Sequence, residues 1–284
     1  MKTSTLTQGA FCLSVYGVLL LFNQQTGLLL ESMLNWVFII PIMIFTAKAG
    51  PYPGAITGLS MAILSFLFGT FTTWFYSWSA ILIGFFYGVG VYNKISHSIN
   101  FLIALGITLI SYVFMIYLWA GIFGMDLSVD FVWISRLIPF LDFQAFCFLF
   151  ALFISFVQTL CIHMLGLLLC VRLKIPMRKL GSLRSICGSK PIGIGSLLIA
   201  VFFFFGQNVI EYSIWLSVIQ ILFFIDLGVL DFLGTVYLME YGIIHRIPKF
   251  TILAVLGAFI PILNFFWMLL GLSDCLLELR KDKI

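Results

Sequence analysis

The sequence predicts an all-α fold, a polytopic transmembrane helical bundle of about 8–9 membrane segments. Three observations lead there. Hydrophobic residues make up 62% of the chain and charged residues 9%, whereas a soluble domain is roughly half apolar and about a quarter charged. Mean hydropathy is +1.17. Runs such as "LLIAVFFFF" do not alternate, as the strands of a membrane β-barrel must when one face meets lipid and the other the lumen. No soluble domain could hide this much apolar surface, so the lipid bilayer is the first expected partner.

A helix needs roughly 20 residues to cross the hydrocarbon core. Nine apolar segments are read near 8–23, 29–46, 53–69, 74–92, 99–123, 143–171, 192–208, 212–240 and 250–272. The first follows Lys2 and runs from Ala10 to Phe22 with no small-x-small cleavage site after it, which makes it a membrane helix rather than a cleaved signal. The second and third meet at "KAGPYPGAITG". There Pro51 and Pro53 stop one helix and start the next, because proline suits a first turn. Gly50, Gly54, Gly58 and Ala62 then recur every four residues and share one helical face. The fourth segment carries Gly84 and Gly88. Small residues let helices approach closely in lipid, so a tight hairpin with a flat packing face is expected.

Between the fifth and sixth segments, "DFVWISRLIPF" mixes Trp, Phe and Ile with one Arg and a Pro. It reads as a short amphipathic helix on the interface, or as a lid over an external pocket. In the ninth segment Pro261 and Asn264 interrupt the run. A broken helix and a re-entrant hairpin both fit, the latter only where protein or water satisfies the backbone.

The basic residues orient the chain. "RLKIPMRKLGSLRSICGSK" holds Arg172, Lys174, Arg178, Lys179, Arg184 and Lys190 and no acid. Placed in the cytoplasm, it brings Lys2, Lys48, Lys94 and the "HRIPK" turn (His245, Arg246, Lys249) to the same side. The N-terminus is then cytoplasmic, and Asp126, Asp130, Asp142 and Glu211 fall in the outer loops. Nine full crossings would leave the C-terminus outside, against the weakly cytoplasmic character of "ELRKDKI".

Trp36, Trp74, Trp78, Trp119, Trp133 and Trp215 fall in the outer half, joined by Trp267 if the last segment crosses fully. An interfacial aromatic belt explains them; an aromatic-walled site open to the outside is the alternative. That candidate ligand site comprises Glu31, Asn35, Trp36, Trp74, Trp78 and Arg136.

Ionisable residues within membrane segments are functional candidates. His163 and Gln158 are five apart on one helix, which puts them on different faces. Asp226 and Asp231 lie in the eighth segment, where an ionised Asp costs about 2.5–3.5 kcal/mol on insertion scales. Proton coupling and structural hydrogen bonding are the two readings. Walker A, HExxH and GxSxG motifs are absent, so no enzyme activity is expected. "GIGSLLIAVFFFFG" lacks the strand–helix context of a dinucleotide site, and no cofactor is expected. The six cysteines form no CxxC pair and are expected as free thiols without a metal site. The net charge of +4 sits in loops and reports orientation, not nucleic-acid binding.

The segments "TQGAFCLSVYGVLL", "IIPIMIFTAKAGPYPGAITGLSMAILSFLFG", "ILIGFFYGVGVYNK" and "FLGTVYLMEYGIIHRIPKFTILAVLGAFIPILNFFWMLLGLSD", in that order, resemble the YybS-like family of bacterial membrane proteins, which carries a domain of unknown function. The C-terminal "CLLELRKDK" departs from that family's aromatic-rich, basic end. The family in turn resembles the substrate-binding S components of energy-coupling-factor transporters. The resemblance implies a six-helix core at 1–172, a basic cytoplasmic loop at 173–190, and added helices at 191–284. It also implies binding of a small solute from outside, with transport through a coupling subunit and ATPases docked on the small-residue face of Ala10 and Ser14. A non-transporting scaffold or regulatory partner is the other reading, with the glycine faces and basic loop as docking surfaces.

Overall fold

A computed structural model describes residues 3–124, 128–179, 181, 186–209, 214–258 and 260–280. Lys2, Arg184 and residues 281–284, which enter the orientation reading, lie outside the described residues, as does the side chain of Trp119. Among the described residues every regular element is helical. Six helices are long and apolar enough to cross a membrane. They are α1 (Thr3–Gln25), α4 (Pro51–Phe68), α5 (Phe71–Tyr92), α6 (His97–Phe123), α8 (Phe143–Arg172) and α10 (Ile214–Ile244). The protein is therefore all-α with several apolar helices of membrane-spanning length, as a multi-pass membrane protein requires.

The other three apolar segments are helical but shorter or broken. The second divides into α2 (Leu29–Met33), a 3₁₀ turn (Asn35–Phe38) and α3 (Ile39–Ala49). The seventh is α9 (Lys190–Val209). The ninth is two helices, α11 (Pro248–Gly257) and α12 (Pro261–Leu277), inclined at 104°. Each starts on a proline, which is tolerated in a first turn but cannot donate to a preceding one. The interfacial segment forms α7 (Ser128–Leu137).

The chain divides into two compact units, residues 1–125 with 150–180, and residues 126–149 with 181–284; α8 thus contributes to both. In the first unit α3 is gripped by glycines from both neighbours. A β-carbon on Gly54 of α4 would overlap the Thr46 side chain, and one on Gly88 of α5 would lie 2.8 Å from Thr46 Cβ and 2.7 Å from the Met43 carbonyl oxygen. One turn away, Gly58 and Gly84 close on Ile42, Gly84 also meeting the Ile39 carbonyl oxygen at 2.7 Å. Ala62 is buried on the same face of α4. The two small-residue rows therefore both reach α3, and Gly58 also packs on Ile81 of α5 at 3.3 Å. Gly50 joins α3 to α4 at φ +94°, a left-handed conformation that favours glycine, and a side chain there would meet the Tyr92 ring at 3.0 Å.

In the second unit α9, α11 and α12 pack on α10. At the α10–α12 crossing a β-carbon on Gly234 would overlap the Trp267 carbonyl oxygen, and one on Gly271 the Leu230 carbonyl oxygen. α11 begins beside the last turns of α10, where Phe250 and Thr251 contact Gly242. α12 ends at the same place: Arg280 reaches Glu240 and sits over the Tyr237 ring. Cys275 and Leu276 also meet Gly188 and Gly193 at the start of α9. Both ends of the α11–α12 pair thus lie at one end of α10.

Candidate functional site

Of the residues expected to form the outer site, Glu31 has the most developed surroundings. Gly27 and Leu28 both adopt left-handed backbone, φ 66° and 67°, and turn the chain so that α2 folds back on the end of α1. Asn23, wholly buried, then pairs reciprocally with Glu31. Its Nδ2 donates to Glu31 Oε2 at 3.3 Å, and its Oδ1 accepts from the Glu31 backbone N–H at 3.0 Å. Thr73 Oγ1 of α5 donates to Glu31 Oε2 at 2.6 Å. Thr70 caps α5 by accepting from the Thr73 N–H at 3.2 Å, which fixes that hydroxyl. Gln24 Nε2 donates to the Phe68 carbonyl, tying α1 to the end of α4. Glu31 is 8% exposed, and a buried carboxylate needs such donors to remain charged.

Asn35 and Trp36 lie in the 3₁₀ turn. Asn35 Oδ1 is buried with no hydrogen-bond partner among the described residues, and Trp36 packs against the core. Trp74 stacks edge-on with Phe66 and Trp78, at 5.7 and 6.2 Å between ring centroids. Trp78 is 42% exposed, so this aromatic row runs out to the lateral surface, where an interfacial belt would sit. Arg136 belongs to the second unit, its guanidinium 5.8 Å from the Trp133 ring.

Ala10 and Ser14 lie on the exposed side of α1, and Ser14 Oγ donates back to the Ala10 carbonyl at 3.0 Å. The packed side of α1 is Gly9, Cys12, Tyr16, Leu20 and Asn23.

At the opposite end of the first unit His163 is buried and paired. Its Nδ1 shares a 2.9 Å hydrogen bond with the Tyr87 hydroxyl. The His97 and Phe101 rings pack edge-on at 6.1 and 5.6 Å. His97 Nε2 is 2.7 Å from the Arg178 carbonyl oxygen, and Asn100 Nδ2 donates to the Tyr87 carbonyl at 3.2 Å. Gln158 instead accepts from the Tyr112 hydroxyl. Gln158 and His163 thus each have their own tyrosine from another helix, consistent with their different faces.

In the second unit Asp226 Oδ1 accepts from Ser196 Oγ of α9 at 2.7 Å. Asp231 Oδ1 and Thr235 Oγ1, one turn apart on α10, are buried without partners among the described residues. The two aspartates therefore sit in different surroundings. At the basic end, Arg280 donates through Nε to Asp274 Oδ2 at 2.9 Å, again through Nη2, and through Nη1 to Glu240 at 3.5 Å. Arg280 is 6% and Asp274 1% exposed. Burial pulls the Arg280 guanidinium down, but the hydrogen bond and charge of Asp274 reverse this and hold it above its ordinary value. At the break before α12, Asn264 Nδ2 and Trp267 Nε1 donate to the Ala258 and Ala254 carbonyls, both at 2.8 Å, which satisfies backbone that the bend exposes.

Asn23, Thr73, Tyr87, Gly234, Gly271 and the Arg280–Asp274–Glu240 cluster were not singled out in the sequence. The available signals were polar residues closing adjacent apolar segments, and glycines in two segments far apart in the chain. Among the described residues no group of three His, Cys, Asp or Glu side chains gathers as metal ligands. Two concavities lie away from Glu31. One is an apolar depression beside the end of α8; the other is lined by Tyr237, Glu240, Tyr241, Ile244, His245, Leu279 and Arg280. Comparison with protein families, with curated proteins and with solved structures finds no match for this chain.

Proposed function

We propose that the chain is a multi-pass subunit of the bacterial cytoplasmic membrane, of the YybS-like type. It binds a small solute from outside at the Glu31 end of its first unit and works with a transmembrane coupling subunit and ATPases. One observation carries this reading: a buried carboxylate, held by Asn23 and Thr73 and flanked by the Trp74–Trp78 aromatic row, at the end opposite the basic residues. A charge kept inside an apolar bundle costs stability, which makes an ionisable residue there a functional candidate by default. The open small-residue face at Ala10 and Ser14 is available for the coupling subunit.

The orientation rests on charge. In the first unit Lys48, Lys94, Arg172, Lys174, Arg178 and Lys179 share one end, and the cytoplasm is the side that favours them. Eight crossings follow, with α11 and α12 forming a re-entrant hairpin. α11 has ten residues, about 15 Å of helix, half of the roughly 30 Å core. The return of α12 to the end of α10 brings the C-terminus back to the cytoplasmic side and removes the parity conflict.

A non-transporting scaffold or regulatory partner is the second reading. It is favoured by the tight packing around Glu31, whose carboxylate is taken up by Asn23 and Thr73. Purification from native membranes in mild detergent, with mass spectrometry of proteins and small molecules that accompany it, separates the two. A coupling subunit with ATPases, and a solute lost in Glu31→Gln, supports the first reading. A coupling subunit with the solute unchanged in Glu31→Gln rules out the site. Recovery with envelope or signalling proteins and no ATPase supports the second.

A further inference from the structure

The last turns of α8 and the segment that follows border an open apolar depression of about 380 Å³, lined by Leu167, Leu168, Val171, Arg172 and Met177. Its wall is preformed. Lys174 takes a left-handed conformation at φ 53°, and the Ile175 N–H bonds back to the Cys170 carbonyl at 2.9 Å. Ile175 is buried, and His97 holds the Arg178 carbonyl at 2.7 Å. The segment is thereby pinned alongside the helix with Met177 facing it across the depression. Arg172 is part of the lining, and Lys174, Arg178 and Lys179, which follow it in the chain, are exposed. No acidic residue occurs between Arg172 and Lys190.

An open apolar depression on a membrane helix, with Arg172 in its lining and three further exposed cations within seven residues of it, suits one class of molecule. That molecule joins a hydrocarbon chain to an anion at the height of Arg172. We infer that this depression is a binding site for an anionic glycerophospholipid, with an acyl chain along Leu168 and Val171 and the phosphate on Arg172 and Lys174. A guanidinium binds phosphate through paired donors, and each basic residue near an anionic surface adds attraction that a zwitterionic lipid does not offer. An acidic helix of a partner protein could meet the cations but would not need the trough.

The test uses the full chain, delipidated in detergent, with dioleoyl phosphatidylglycerol or dioleoyl phosphatidylcholine added at equal mole fraction. At tenfold saturation phosphatidylglycerol should raise the apparent Tm by about 3–5 °C, and phosphatidylcholine by much less. Arg172→Gln with Lys174→Gln should lose most of that gain. Leu168→Trp, which fills the trough and keeps every charge, should lose it too. Native mass spectrometry gives a second readout that does not depend on unfolding: one retained phosphatidylglycerol in the wild type, depleted in both variants. Equal shifts from the two lipids overturn the site, because the association then does not depend on the headgroup charge. An undiminished gain in Leu168→Trp overturns the acyl-chain contact, as does an equal gain from glycerol phosphate alone.

Discussion

Gly234→Ala is the smallest change that reaches the α10–α12 crossing. The added methyl would overlap the Trp267 carbonyl oxygen and lie within 3.1 Å of the Gly271 nitrogen. Both are backbone atoms, so no side chain can rotate away. The helices must separate by about 1.6 Å to restore a contact distance near 3.5 Å, and a gap of only about 1 Å already forfeits up to half of each dispersion contact along the crossing. Overpacking of this kind costs about 1–3 kcal/mol, and alanine returns about 1 kcal/mol of helix propensity. Because the clash is with backbone, the expected net loss is about 2 kcal/mol, or about 4–8 °C in apparent Tm. Gly228→Ala on the same helix is the control. Nothing lies within 4 Å of its added carbon, so the propensity gain should stand alone, up to about 1 kcal/mol. Gly234→Ala with Gly271→Ala should cost less than the sum of the two, since the first change already parts the helices both would part. Thermal unfolding in detergent, followed by tryptophan fluorescence, measures all four. Equal stability of Gly234→Ala and Gly228→Ala would refute the close crossing.

Other predictions follow from the buried polar groups and the topology. Tyr87→Phe should cost about 1–3 kcal/mol, because it leaves the buried His163 nitrogen unpaired; denaturant or thermal unfolding reads this, and an unchanged midpoint would mean that His163 has another partner. Arg280→Met should cost about 3–5 kcal/mol by stranding Asp274. Adding Asp274→Leu should recover much of that loss, and no recovery would show that Arg280 acts by packing alone. Asp231→Leu should raise stability by about 1–3 kcal/mol by removing an unpartnered buried oxygen, whereas a marked loss would mean that the carboxylate is satisfied. A reporter active only in the cytoplasm, fused after Ile247 or at the C-terminus, should be active in both positions; activity in the first alone would show that the ninth segment crosses.

Much of the first unit was legible in the sequence. The spacing of Gly54, Gly58, Gly84 and Gly88 marks faces of close approach, because a four-residue repeat is a property of one helix. That both rows close on Thr46 and Ile42 of α3 was not legible, since it depends on which helix lies between them. Glu31 stood out as a charge near an apolar segment. Its partners did not, because Asn23 and Thr73 reach it only after the left-handed turn at Gly27 and Leu28 reverses the chain. His163 stood out for the same reason as Glu31, and its distance from Gln158 on the helix correctly kept the two apart. Tyr87 was hidden as one aromatic residue among many.

The sequence by itself determined the class of the protein. Its apolar content and its long runs without charge leave the backbone no solvent to bond to except itself, and helices follow. It also determined which end of each segment carries the basic residues. Only the tertiary structure decided how the ninth apolar segment is built. Hydropathy averages over a window and carries no direction, so a straight helix and a broken one look alike. The 104° bend between α11 and α12, the glycine crossing on α10 and the return of Arg280 to Glu240 exclude a single straight helix, because each depends on contacts between residues far apart in the chain.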